Sequence, residues 1–485
     1  MRGFGAPAGR VVVGAIALLL LACFGGGDPS ERRPDVYLIT VDTLRADHLG
    51  AWGQSLPTSP RLDAFVDRGA RFADATVQWP KTWPSMASLL TGAYPKTTGL
   101  RLEHQRLASE HHLLAEIFRE NGYRTGAVVS NFNIGRTFGF DQGFDVFVES
   151  WEEAFKAEAP GSRFMNRAGR VKRYTNARIV TEQALRTIEE LDGRGPLFVW
   201  VHYMDPHGPY RPPREYDHLF EGAFPEEPVP AAVIPTYQRH RLPETNAVDT
   251  DLGGYRTRYA REIRYLDDEL GRLLDRIEQP RAGRPPPIVA FTADHGESLH
   301  EHGYHLEHGR FPYQSTAHVP LAVVQEGRVP ANRDFDVPVG VIDLTPTLVE
   351  LAGLEASADF EGRSLVRLME TGDPEAAPKH VFMEAGYEEE TQLIIRSGRW
   401  KLIHVRASED RREMSGAEFE LYDLESDPGE LNDVSAEHPE IVSSLSGRLA
   451  AWIGDEPSSL ASEEVDLHEL SPRDQEMLRA LGYLE

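Results

Sequence analysis

Apolar and polar positions along the chain fall into two regimes. Residues 35–42 (DVYLITVD), 124–130, 196–203 (PLFVWVHY), 288–292 and 319–324 are short, nearly continuous apolar runs, the pattern of strands buried on both faces. Between them lie segments with helical spacing. Residues 59–68 carry Ser59 as a cap and Pro60 at the first helical position, and 110–120 end at Asn121-Gly122. Residues 175–191 space Ile179, Ala184, Ile188 and Leu191 along one face; 254–277 form a long amphipathic pattern, and 343–352 a shorter one with Pro346 near its start. Strand and helix alternate through 35–352, which predicts an α/β fold with a large, mostly parallel sheet sandwiched by helices. From about residue 375 the texture changes. Residues 393–395, 400–405 and 418–424 read as antiparallel strands and 437–452 as a helix. The expected organisation is therefore a main α/β domain over 35–370, a smaller C-terminal α+β subdomain with an antiparallel sheet over 375–455, and an acidic, solvated tail over 456–485.

Two stretches escape this pattern. Residues 151–174 are polar and irregular, an expected surface excursion; 208–247 are Pro-rich and poorly periodic, the texture of a loop or lid. A third stretch, residues 79–92 (WPKTWPSMASLLTG), organises the rest. Pro84 suits a first helical position, 85–90 contain no helix breaker, and Gly92 offers a left-handed cap. Thr82 is thereby expected just before a helix N-terminus, where free N–H groups and the helix dipole favour an anion. A plain helix cap is the alternative role for its hydroxyl.

Composition narrows the function. The 485 residues exceed one compact core, and 40% hydrophobic with 26% charged residues describe an ordinary globular protein. The formal charge of −26 argues against nucleic acid as a partner, because phosphate contacts need clustered Lys and Arg. At the N-terminus, Arg2 and Arg10 precede a short apolar run, residues 11–22, which ends Leu20-Leu21-Ala22-Cys23. This resembles a bacterial lipobox, with residues 1–23 a lipoprotein signal peptide and 24–34 a flexible tether; an ordinary secretory signal is the alternative. Cys23 is the single cysteine, so no intrachain disulfide forms within this sequence. The implied location is the bacterial cell envelope, facing the periplasm or exterior, with the membrane touched through a lipid anchor only.

Asp42, Asp294 and His295 each fall at the expected C-terminal end of a buried strand. In a parallel sheet those ends converge on one edge, where open α/β sheets bind ligands. Two carboxylates, an imidazole and the Thr82 hydroxyl suit a divalent cation: oxygen ligands favour calcium or magnesium, and the histidine admits manganese or zinc. An ion at Thr82 Oγ would make that hydroxyl a usable nucleophile at neutral pH.

Four segments, VDTLRADHLG (41–50), TWPSMASLLTG (82–92), HYMDPHGPY (202–210) and TADHGESLHEHG (292–303), resemble the successive motifs of the sulfatase family, within the alkaline-phosphatase-like superfamily. RSGRWKLI (396–403) and LYDLESDPGELND (421–433) resemble its C-terminal subdomain, so the likeness runs from about residue 34 to 455. It implies an alkaline-phosphatase-like fold and hydrolysis of an anionic ester: a sulfated or phosphorylated glycan, lipid or small molecule. It makes Asp42, Asp294, His295 and Thr82 ligands of one divalent metal ion, calcium by family habit. Thr82 takes the nucleophile position, and His207 and His308 meet the substrate anion or the leaving group. His302 and His305 share the loop of His308, with a solvated cluster as their plainer reading.

The departures from the family pattern carry information. Sulfatases place cysteine or serine at the nucleophile position for oxidation to formylglycine, within C/S-x-P-x-R. Here the positions read Thr82-Trp83-Pro84-Ser85-Met86, so no formylglycine is expected and the supporting arginine is missing. Thr43 stands where many sulfatases have a second metal-binding aspartate, and no lysine occurs between Lys172 and Lys379. Lys81 or Arg45 could restore the lost positive charge. A sulfated threonine lacks the aldehyde exit of a formylglycine hydrate, whereas a phosphorylated threonine is resolved by in-line attack of water. The chemistry therefore points toward phosphate or phosphonate esters while the motifs point toward sulfate. A non-catalytic protein that binds anionic glycans or lipids, and a phospho-group transferase, are the alternatives.

Overall fold

The computed structural model describes residues 33–454 apart from 102–104, 152–162, 166–170, 174–175, 194, 243, 282, 387–390 and 406–417, together with 463–465, 470–472 and 475. Cys23, the expected signal peptide and most of the expected tether and tail lie outside the described residues.

Eight strands form the central sheet: β1 (Val36–Val41), β2 (Ala70–Thr76), β3 (Arg124–Val129), β4 (Val146–Glu149), β5 (Leu197–Tyr203), β6 (Ile288–Ala293), β7 (His318–Val324) and β8 (Arg333–Gly340). Their spatial order is β8-β2-β7-β6-β1-β5-β3-β4, and only β7 runs against its neighbours. The central strands are the most apolar. Every residue of β1, β5 and β6 is buried, because helices cover both faces of the sheet. Each Val, Leu, Ile or Phe so buried contributes about 1.5–3 kcal/mol.

The main helices are α1 (Pro60–Val66), α2 (Thr82–Thr91), α3 (Leu114–Glu120), α4 (Ala177–Leu191), α5 (Leu252–Ile277) and α6 (Leu344–Leu351). Asn176 caps α4 through the Ile179 N–H, and Asp251 caps α5 through Gly253 and Gly254. Phe118 of α3 stacks on Phe198 of β5 with ring centroids 4.6 Å apart, joining that helix to the sheet.

The structure departs from the sequence reading in several places. Helix α2 begins at Thr82, two residues before Pro84, with Lys81 as N-cap. Pro84 is still within the first turn, where a missing N–H costs no intrahelical bond. Thr82 thus lies inside the helix rather than just before it. Gly92 closes the helix in the left-handed region (φ 69°), as expected. Helix α3 starts at Leu114, four residues after the expected start, and α1 ends at Val66. Strands β2, β4 and β8 fall outside the apolar pattern: ARFADAT and RDFDVPVG mix charged and apolar residues because these strands are only partly buried. Within residues 151–174 the described part contains a small antiparallel pair, Arg163–Met165 with Val171–Arg173. In the tail, the backbone of Glu463–Glu464 pairs with Gln105–Arg106 instead of standing free in solvent.

The C-terminal part is a separate four-stranded antiparallel sheet, β9 (Val381–Ala385), β10 (Gln392–Ser397), β11 (Trp400–His404) and β12 (Phe419–Asp423), packed by α7 (Pro439–Gly454). Leu393, Ile395, Leu402, Leu421, Leu445 and Leu449 form its own small core. Its other attachments reach the main domain. Buried Lys401 bonds Glu430 (Nζ to Oε1 2.6 Å), Glu430 accepts the Gln314 N–H at 2.6 Å, and Tyr313 donates to Glu420 at 3.2 Å.

Candidate active site

Four adjacent strands, in the order β6, β1, β5, β3, present polar residues at one edge of the sheet. Asp294 and His295 follow β6, Asp42 follows β1, His202 lies near the end of β5, and Asn131 lies two residues past β3. Ladder-like bonds hold the carboxylate positions: the Asp42 N–H donates to Tyr203 O (2.9 Å) and the Asp294 N–H to Val41 O (3.1 Å). The loop after β2 carries the N-terminus of α2 to the same edge, so Thr82 joins them. Asp42, Thr82, Asp294, His295 and His202 are completely buried.

Thr82 Oγ1 lies 3.3 Å from His295 Nε2 and 3.3 Å from the Asn131 Nδ2 donor. Asn131 also donates to Asp42 Oδ2 at 2.7 Å, a charge-assisted bond that ties hydroxyl and carboxylate together. His295 Nε2 is 3.5 Å from Asp294 Oδ2 and 3.9 Å from Asp42 Oδ1; His202 Nε2 is 3.5 Å from Asp42 Oδ2. Asp42 Oδ1, Asp294 Oδ2 and His202 Nε2 are buried without a hydrogen-bond partner. Ligand atoms of Asp42, His202 and Asp294 all lie within 4.8 Å of one another.

The electrostatics of the carboxyl pair match. Burial works against the charge of Asp42, but His207, His202 and His295 outweigh it and hold this carboxyl well below its ordinary range. Burial together with the Asp42 charge pushes Asp294 well above its own. Two buried carboxyls side by side hold a proton where a cation would otherwise balance them. Orphaned oxygens, an orphaned nitrogen and unbalanced charge fit a divalent ion. With its Nδ1–H donated to Thr40 Oγ1 (2.9 Å), His202 would present Nε2 as a nitrogen ligand.

Thr43 adds strain at the same point. Its φ of 52° is unfavourable for a β-branched residue and is held by its N–H to Asp294 Oδ1 (3.1 Å) and by Tyr259 donating to its carbonyl at 2.6 Å. Gly296 is needed for close approach: a Cβ there would lie 2.2 Å from the Ser315 carbonyl oxygen.

The expected histidines gather opposite Thr82. The rings of His295 and His308 are 4.3 Å apart, and those of His308 and His207 5.3 Å. Burial and the neighbouring His207 push His308 down to about 3, so it is a neutral imidazole. Burial first, and the neighbouring His308 after it, drive His295 well below its usual value too. Glu297, pushed up to about 8 by burial, sits 3.0 Å from His308 Nδ1 and accepts from Tyr210 at 3.1 Å. The Pro-rich segment lies over this group: Tyr237 packs 6.1 Å from His207, and Gln238 Nε2 reaches Leu306 O at 3.3 Å. His302 and His305 are not brought in. His302 stacks on Tyr313 at 3.6 Å, and His305 neighbours His300 at 4.5 Å. Arg45 is committed elsewhere, to Asp47 and Glu301 (both 2.7 Å) and to the Glu297 carbonyl (3.1 Å).

Sequence reasoning missed His202 and Asn131. His202 carried a signal, as the polar residue within the buried run PLFVWVHY. Asn131 carried none; only the strand order brings it to Thr82.

Fold and site thus define an α/β protein with a buried hydroxyl beside a cation-ready acid–imidazole cluster. The chain belongs to the sulfatase family, which it matches over residues 34–354, and residues 300–454 match the C-terminal region of N-sulphoglucosamine sulphohydrolase. It is 25% identical to mouse (Mus musculus) iduronate 2-sulfatase over 94% of this chain and 91% of that protein. It is 26% identical to the choline-sulfatase of Rhizobium meliloti over 84% and 83%. Among solved structures, the phosphonate monoester hydrolase of Silicibacter pomeroyi superposes with a TM-score of 0.70 at 19% identity, covering 88% of this chain and 96% of that one.

Proposed function

We propose that this protein is a metal-dependent hydrolase of sulfate or of phosphate and phosphonate esters, with the Thr82 hydroxyl as nucleophile. The carrying observation is a fully buried Thr82 Oγ1 at the start of α2, fixed by Asn131 beside the Asp42–Asp294 pair. Asp42 and Asp294, with His202 and His295 as nitrogen donors, would hold a divalent ion. Such an ion lowers the pKa of a nearby hydroxyl and offsets the charge of a tetrahedral anion.

The chain's own residues divide the remaining work. Thr82 Oγ1 forms a bond to sulfur or phosphorus, and the bond to the ester oxygen breaks. His207 passes a proton to that departing oxygen in place of the one Thr82 gives up, the neutral His308 meets the anion through a ring N–H, and water then displaces Thr82 from the anion, returning a proton to its oxygen. The second step favours phosphorus, because a sulfated threonine has no exit except direct displacement. The similarity to a phosphonate monoester hydrolase supports that side, and the similarity to iduronate 2-sulfatase and choline-sulfatase supports the other. Purified protein offered an aryl sulfate, a phosphate diester and a phosphonate monoester, with calcium, manganese, magnesium or zinc in turn, tests the proposal. Metal-dependent turnover of at least one ester is expected; none on any ester refutes it.

A second reading, capture of anionic glycans or lipids without cleavage, is favoured by one observation. Met86, at the position of the family's arginine, is completely buried and apolar. Release of the alcohol from a bound ester rejects that reading. For location we propose a lipid anchor at Cys23 in the bacterial envelope. Metabolic labelling with a fatty acid should mark the wild type and leave Cys23→Ser unlabelled, and a wild type that takes up no label refutes the anchor.

A further inference from the structure

Thr43 holds a left-handed backbone (φ 52°) between Asp42 and Leu44, and its own hydroxyl is buried without a hydrogen-bond partner. A β-branched residue leaves that region unless its surroundings hold it there. Two restraints act on its backbone. The Thr43 N–H donates to Asp294 Oδ1 at 3.1 Å, and the Thr43 carbonyl accepts from the Tyr259 hydroxyl at 2.6 Å. The same hydroxyl accepts the Arg45 N–H at 3.1 Å, so one phenol oxygen closes the turn 43–45 from the side of α5.

A carbonyl oxygen only accepts and an amide N–H only donates, so both bonds of this hydroxyl have a fixed direction. Its aim is fixed as well. Tyr259 is completely buried, and its ring meets those of His48 and Tyr210 edge-on, at 5.0 and 5.3 Å. The turn it closes sets two carboxylates. Asp42 is the chain neighbour of Thr43, and Asp294 uses Oδ1 on the Thr43 N–H, which leaves Asp294 Oδ2, like Asp42 Oδ1, without a partner. Rotation about φ of Thr43 changes the angle between its N–H and its carbonyl, so Asp294 and Tyr259 both keep their bonds only near the observed value.

We infer that the Tyr259 hydroxyl clamps the Thr43 turn and thereby preorganises Asp42 and Asp294 for the cation. The inference rests on the cation-binding reading above and adds a positioning residue to it. A turn that relaxes must re-form on binding, and apparent affinity falls with the fraction of chains still competent. Calorimetry of the purified protein, freed of metal and titrated with calcium or manganese, tests the clamp in a double-mutant cycle. Tyr259→Phe keeps the ring and should weaken cation binding by about tenfold. Glycine takes a φ of 52° without steric cost, so in a Thr43→Gly background the same exchange should weaken it by less than about threefold. A hydroxyl that serves packing alone leaves cation affinity unchanged, or lowers it equally in both backgrounds, and either result overturns the inference. If Tyr259→Phe does not fold, adding Thr43→Gly should restore both fold and cation affinity; a double variant that stays unfolded overturns the inference too. Tyr259-dependent cation binding without turnover of any ester supports the clamp and removes the hydrolase reading. A wild type that binds the cation and turns over an ester, with affinity indifferent to Tyr259, removes the clamp alone, and one that binds no divalent cation removes both.

Discussion

Replacing Thr82 with alanine removes one oxygen and one methyl group from a completely buried position. The oxygen makes two long contacts, 3.3 Å to His295 and 3.3 Å to Asn131, each contributing about 0.5 kcal/mol. The methyl adds about 0.8 kcal/mol of burial. Stability should therefore fall by only about 1–2 kcal/mol. A lost covalent nucleophile costs far more, at least about 4 kcal/mol of barrier, or roughly a thousandfold in rate. Fold and activity should thus part company. Thr82→Ala should unfold within a few degrees of wild type while kcat/KM on the best ester drops by three orders of magnitude or more. Thr82→Ser loses the methyl but keeps the oxygen, and should retain activity within about tenfold. Intact-protein mass spectrometry of quenched turnover should find the phospho- or sulfo-group on Thr82 in the active proteins only. Thr82→Ala keeping more than a tenth of wild-type kcat/KM would refute the nucleophile assignment.

Further expectations concern the ion and the frame around it. His202→Ala removes an orphaned nitrogen donor and should weaken cation binding by at least about tenfold in calorimetry; unchanged affinity takes His202 out of the ligand set. Burial opposes ionisation of Glu301, but Arg45 outweighs it and holds the carboxyl at about 2, below its ordinary 4.5. Its contribution is complete above about pH 4.5 and is lost as pH falls toward 2. The thermal-midpoint gap between wild type and Glu301→Gln should shrink across that window, and a gap independent of pH counts against the pair. Lys401→Met strands Glu430 as an unpaired buried charge and should cost about 3–5 kcal/mol in urea unfolding; a loss below about 1 kcal/mol contradicts the burial argument.

The sequence carries the sheet centre plainly because β1, β5 and β6 are buried on both faces, and a strand covered on both faces is written as one continuous apolar run. Asp42, Asp294 and His295 were legible for the same reason: polar residues at the ends of such runs sit on the sheet edge. Periodicity loses β2 and β8. Asp74, Asp334 and Asp336 interrupt their apolar pattern, and Pro338 sits within β8. Local turn and helix chemistry points to Thr82, yet not to its place inside the helix, because proline is tolerated anywhere in a first turn. Asn131 depends on β3 lying beside β5, a fact of strand order that no local pattern encodes.

The grip of the C-terminal sheet on the histidine loop bears on how the protein is made. Gln314 and Tyr313, just beyond His308, are held by Glu430 and Glu420, and His302 reaches the Gly429 carbonyl at 3.2 Å. Synthesis runs from the N-terminus, so Thr82, Asp42 and the loop itself emerge well before their support. The proposed site is consequently among the last parts to be finished, and a chain still in production carries its hydroxyl and acids without a seated His308. Truncation near residue 400 leaves the four segments that carry Asp42, Thr82, His207 and Asp294 in the chain and removes what holds the histidine loop in place.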